Sequence, residues 1–157
     1  MISEVFENQT LYLKNVLYYR GWITQQGSNE IFQKMESFFT SANAQKDGNI
    51  VTVTNAVETK DGAPMMDIEI FIPLDKEIKV NEEYKFIPAF EITNALMIRI
   101  EGHPTQWQTA MQNLSEHIQK NDLQPTTPAL MVTVKAAITP LEIDEMITEI
   151  YVGIKGE

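Results

Sequence analysis

Asn15-Val16-Leu17-Tyr18-Tyr19-Arg20 returns 79 positions later as Asn94-Ala95-Leu96-Met97-Ile98-Arg99, and that echo decides how the rest of the chain is read. A second pair follows in the same order. Glu69-Ile70-Phe71-Ile72-Pro73-Leu74 is matched by Glu149-Ile150-Tyr151-Val152-Gly153-Ile154, 80 positions apart. One inserted residue reconciles the two registers. The pattern predicts an internal duplication within a single domain spanning residues 1–157, one repeat over about residues 10–75 and the other over about 84–157. Two copies of a small α/β unit tend to pack about a pseudo-two-fold axis, so the seam between them is the expected place for a ligand groove.

The residues between these matches supply the other elements. β-branched, aromatic and leucine residues over 10–19 predict a strand ending at Arg20-Gly21. Ser28 is the expected cap of a helix whose apolar residues Ile31, Phe32, Met35, Phe38 and Phe39 form one stripe. Residues 43–49 read as its exit loop and 50–54 as a strand. Lys60-Asp61-Gly62-Ala63-Pro64 reads as a turn, with residues 66–74 returning. The charge-rich segment 75–83 reads as the link between repeats.

The second repeat follows the same plan, with a first strand over residues 93–101. Thr105-Gln106-Trp107-Gln108 fits a capping box, and Trp107, Met111, Leu114 and Ile118 form the apolar stripe of the helix behind it. Residues 130–134 and, after a loop around Pro140, residues 146–154 complete the set. The expected class is α+β: duplicated β-α-β-β units forming a mostly antiparallel sheet, with helices on one face and a groove on the other.

Alternation along a strand sorts each closing segment into two faces. Ile68, Ile70, Ile72 and Leu74 share one face, as do Ile150, Val152 and Ile154, and these are the core candidates. The opposite faces carry Glu69 with Phe71 and Glu149 with Tyr151, in each copy a carboxylate two residues before an aromatic ring. Tyr18 and Arg20 in one first strand, and Met97 and Arg99 in the other, fall on that side too. Carboxylate, guanidinium, aromatic and methionine surface together suit an amphipathic ligand. The candidate ligand-binding residues are therefore Glu149, Tyr151, Glu69, Phe71, Tyr18, Met97 and Arg99, with Trp22, in a loop after Gly21, as a groove wall. The structural alternative pairs Glu69 with Arg99 and Glu149 with Arg20 across strands, simply to keep an open face soluble.

Charge and composition narrow the function classes. With 12 basic and 22 acidic residues the formal net charge is −10, which opposes binding to a phosphate backbone but suits a cationic ligand or a basic protein partner. The absence of cysteine excludes disulfides, thiolate metal sites and cysteine nucleophiles. The two histidines, His103 and His117, sit in no recognised metal spacing, so neither metal nor cofactor is expected. His117 reads as part of a solvated helix face, and His103 as a turn residue able to carry a proton at a groove. The first residues lack the basic-then-apolar order of a signal peptide, and no apolar run approaches the ~18 residues that span a bilayer. The expectation is a cytoplasmic protein that does not enter membranes; its oligomeric state is left open.

Ala95-Leu96-Met97-Ile98-Arg99-Ile100-Glu101-Gly102-His103-Pro104, an amphipathic helix, a proline-containing loop and the ending Thr148-Glu149-Ile150-Tyr151-Val152-Gly153-Ile154 together resemble the GyrI-like effector-binding domains, also called AraC-type or bacterial-activator effector-binding domains. The resemblance covers almost all of the chain, and the second repeat is the closer match. It implies a duplicated β-α-β-β fold whose central groove binds small aromatic or cationic molecules, with the glutamate that opens the closing strand, here Glu149, facing the ligand. The chain departs from the pattern where Gly102-His103-Pro104 replaces a Gly-Pro step and where Gly153 stands in place of a proline that the first repeat keeps as Pro73. With no helix-turn-helix segment expected ahead of the domain, the leading reading is a stand-alone small-molecule binder. The alternatives are a protein-interaction module, such as a toxin-neutralising or secretion-accessory partner, and a hydrolase of reactive electrophiles dependent on Glu149.

Overall fold

A computed structural model describes residues 1–24, 26–136 and 139–156. The elements are α+β: two α-helices, and strands whose pairings within each unit are all antiparallel. They group into two compact units, an early one of Tyr12–Phe90 and a late one of Met1–Leu11 with Glu91–Glu157.

The early unit contains most of β1 (Phe6–Thr24), then α1 (Gly27–Ser41), β2 (Ile50–Lys60) and β3 (Ala63–Pro73). β3 lies between β1 and β2. Asp61 and Gly62, with φ of 53° and 79°, supply the two left-handed residues that a tight β2–β3 hairpin needs. Tyr18 lies opposite Phe71, and Arg20 opposite Glu69.

The late unit contains most of β4 (Lys85–Glu101), then α2 (Trp107–Lys120), β5 (Leu130–Lys135) and β6 (Ile147–Gly153), with short 3-10 helices at Pro104–Gln106 and Pro140–Glu145. β6 lies between β4 and β5. Met97 lies opposite Tyr151, and Arg99 opposite Glu149. The residues in register within this unit are the sequence counterparts of those in register within the other. The loop around Pro140 is described from Thr139 onward; Ala137 and Ile138 lie outside the described residues.

Alternation along the strands determines what each helix covers. α1 lays Ile31, Met35 and Phe39 against Leu17, Ile68, Ile70 and Ile72. α2 lays Ala110 and Leu114 against Leu96, Ile98, Ile150 and Val152. Ile70 and Ile150 are both fully buried, each a contribution of about 1.5–3 kcal/mol relative to exposure.

Several local expectations are corrected. β1 runs through Gly21 to Thr24 instead of ending at Arg20-Gly21, because Gly21, lacking a Cβ, leaves room for the phenol of Tyr19. Ser28 lies inside α1, and the N–H of Gly27 is accepted by Thr24 Oγ1 at 3.0 Å. The capping box at Thr105 does not form. His103, held extended ahead of Pro104 (φ −61°, ψ 140°), caps the 3-10 turn by accepting the Thr105 N–H on Nδ1 at 3.1 Å. Met111 is exposed, because the α2 stripe centres on Ala110 and Leu114 and Met111 is turned about 100° from Ala110. Among the described residues no helix is long and apolar enough to cross a membrane.

Candidate functional site

The two carboxylates singled out by the sequence sit at equivalent register positions and are held differently. In the early unit, Tyr18 Oη donates to Glu69 Oε1 at 2.5 Å, and Asn55 Nδ2 donates to Glu69 Oε2 at 3.1 Å. Asn55 reaches the carboxylate because β2 carries one extra residue there, the register against β3 shifting between Thr54 and Ala56. Such a bulge re-aims a side chain. Phe71 meets Tyr18 edge-on, with ring centroids 5.0 Å apart, and meets Phe90 at 4.8 Å. Arg20 makes no hydrogen bond to Glu69, although the Glu69 charge acts on it; its guanidinium pairs with Asp67 through contacts of 3.0 and 3.3 Å. Glu69 is thus held by neutral donors alone among the described residues, and its charge is not matched by an ion pair.

In the late unit, Arg99 Nη1 lies 3.1 Å from Glu149 Oε2, and Tyr151 Oη donates to Oε1 at 3.3 Å. Arg99 also contacts Glu101 at 3.2 Å. Its backbone is fixed by Ser3, whose N–H donates to the Arg99 carbonyl and whose Oγ accepts the Arg99 N–H, both at 2.8 Å. The β5 register slips between Thr133 and Lys135, so Val134 is the extra residue and brings no donor. Met97 stands where the other unit has Tyr18. The Glu149 charge is therefore met by a cation, with a side chain 16% exposed.

Both phenols are held protonated. Burial first, then the hydrogen bond and charge of Glu69, push Tyr18 up to about 12. Burial first, then the charge and hydrogen bond of Glu149, push Tyr151 up to about 12. At neutral pH each is a donor to its carboxylate.

The structure brings Glu69, Phe71 and Tyr18 together, and Glu149, Tyr151, Arg99 and Met97 together. Trp22 is a strand residue opposite Asp67, exposed and outside any loop. Each arginine pairs inside its own unit, Arg20 with Asp67 and Arg99 with Glu149. Asn55, Asp67 and Phe90 went unrecognised in the sequence. Asn55 is placed by a bulge, and a one-residue slip leaves no mark on a hydrophobic pattern. His103 acts as a cap, and His117 Nε2 lies 2.9 Å from Glu7 Oε1. Among the described residues no group of three or more histidine, aspartate or glutamate side chains is placed to hold a metal ion.

A family model described as a domain of unknown function, DUF5085, matches residues 12–155. The chain belongs to the DUF5085 family. No curated protein matches this DUF5085 chain. Among solved structures it is similar to the EcmrR C-terminal domain, with a TM-score of 0.73 at 15% identity, covering 100% of this chain and 98% of that one. EcmrR in its DNA complex matches with a TM-score of 0.72 at 15% identity; the match covers 100% of this chain but 58% of that one. A hydrolase from Listeria innocua matches at 0.57 with 7% identity, covering 97% of this chain and 92% of that one. At such identities the likeness is one of fold. The fold of this DUF5085 chain is that of the EcmrR C-terminal domain.

Proposed function

We propose that the chain binds a small amphipathic molecule with an aromatic body and a cationic centre, and that Glu69 is the principal contact for the cation. The observation that carries this reading is the setting of Glu69: a carboxylate held in place by the neutral donors Tyr18 and Asn55, with no ion pair among the described residues, beside the rings of Tyr18, Phe71 and Phe90. A carboxylate has about four acceptor sites, so two donors leave capacity for an incoming ammonium. Aromatic faces add about 0.5–2 kcal/mol each for a cation placed over them.

The family resemblance points to Glu149 instead. That carboxylate is already paired with Arg99, and a cationic ligand there would have to displace a guanidinium. In this reading Glu149 orders Arg99 within the late unit. The likeness to the EcmrR C-terminal domain supports an effector-binding role through its fold.

A thermal-shift comparison of crystal violet and benzyltriethylammonium with uncharged triphenylmethane tests the reading. A cation at a hundred times its Kd should stabilise the fold by about 2.7 kcal/mol, or about 5–10 °C for a chain of this size. The reading fails if neither cation raises the melting temperature, or if the uncharged analogue matches them.

A further inference from the structure

The two helices end in the same way, and one ending is incomplete. Asn43 after α1 and Asp122 after α2 take left-handed backbone, with φ of 60° and 52°. The next N–H then reaches back five positions, Ala44 to the Phe39 carbonyl and Leu123 to the Ile118 carbonyl, each at 2.9 Å. In this C-terminal motif the residue after the left-handed one commonly folds an apolar side chain against the last helical turn. Leu123 does so in the late unit, packing with Ile118 and Ala129 on the cluster around Leu96 and Leu114. In the early unit the same place holds Ala44, buried but three carbons shorter.

A pocket of about 590 Å³ opens there, with Ala44, Phe32, Phe39, Ile50 and Ile72 as its apolar lining. That volume lies within the range of about 300–1,000 Å³ found for small-molecule sites. Its rim carries two charges. Lys46 gives its ammonium to the Gly48 carbonyl at 3.2 Å, whereas the Glu36 carboxylate has no hydrogen bond or ion pair among the described residues. The last turn of α1 contains no basic residue, so the negative end of the helix adds to the Glu36 charge.

We propose that this pocket is a second ligand site, separate from the Glu69 face, for a compact molecule with a flat apolar body and a single ammonium group. The body lies on Ile72, Ile50 and the two phenylalanines in the space a leucine would fill, and the ammonium faces Glu36. This inference does not rest on the Glu69 reading.

Tryptamine, uncharged indole and anionic indole-3-acetate, titrated by calorimetry and by methyl NMR of Ile50 and Ile72, form the test. Tryptamine should bind best and shift both methyl resonances, with indole about threefold weaker, since the exposed Glu36 adds little through solvent. Ala44→Leu, which installs the other helix's residue, should weaken tryptamine at least about tenfold while the melting temperature holds or rises. Glu36→Gln should bring tryptamine down to indole at the Ile50 and Ile72 methyls, and Glu69→Gln should leave the shifts of those two methyls unchanged whatever it does at the sheet face. Unshifted Ile50 and Ile72 methyls, unchanged affinity at those methyls in Ala44→Leu, or loss of their shifts in Glu69→Gln would each overturn the second site.

Discussion

Glu69 and Glu149 occupy matching positions in register and answer to different partners. Each lies on a middle strand two residues before an aromatic ring, each is opposite an arginine, and each receives a tyrosine hydroxyl. Yet Arg99 turns to its glutamate, while Arg20 turns away to Asp67, whose counterpart by register is Ile147. At the bulge, Asn55 stands where the other unit has Val134. Differences at Asp67/Ile147, Asn55/Val134 and Tyr18/Met97 leave one carboxylate as half of an ion pair and the other held by neutral donors. The strand pairings match between the two units, and the electrostatics does not.

The largest effects should fall on the common scaffold. Ile70→Ala and Ile150→Ala each remove a fully buried side chain under a helix and should each cost about 2–5 kcal/mol in chemical denaturation. Agreement of the two within about 1 kcal/mol supports equivalent scaffolds, and a gap larger than the single costs would break the comparison.

The arginines come next. Arg99→Met leaves the mostly covered Glu149 unpaired and should destabilise by about 1–2 kcal/mol. Arg20→Met leaves Asp67, whose side chain is only 13% exposed, without its cation and should cost about the same. A denaturation midpoint unchanged in either variant would contradict the assignment of one arginine–carboxylate pair to each unit.

A smaller effect concerns alkaline pH. Both tyrosines titrate near 12 in the folded protein, against an ordinary 10. A raised folded value means that their stabilisation is intact below pH 10 and lost as pH rises toward 12, where the unfolded chain releases those protons first. The melting temperature should fall over that window. Tyr18→Phe and Tyr151→Phe should each flatten the fall, and an unchanged slope in both would show that other groups cause it.

What was legible in the sequence follows from period. Alternation at Ile68, Ile70 and Ile72 against Glu69 and Phe71 requires only a pleat, so the faces of the closing strands could be read directly, whereas their register partners could not. The helix stripes were read from their spacing, apart from Met111. The bulge at Asn55 was hidden because one extra residue changes no pattern that a short strand can display. The path of Arg20 was hidden because a guanidinium chooses between Asp67 and Glu69 by side-chain geometry, and both acids lie on the same face. Trp22 was misplaced because glycine usually punctuates a strand, whereas Gly21 serves a local clearance beneath Tyr19.

The most direct test is calorimetric titration of crystal violet into the wild type, Glu69→Gln and Glu149→Gln, with folding of each checked by circular dichroism. If the uncompensated carboxylate holds the cation, Glu69→Gln should weaken binding by about tenfold or more and Glu149→Gln by less than about threefold. Equal losses, or the larger loss in Glu149→Gln, would contradict the account.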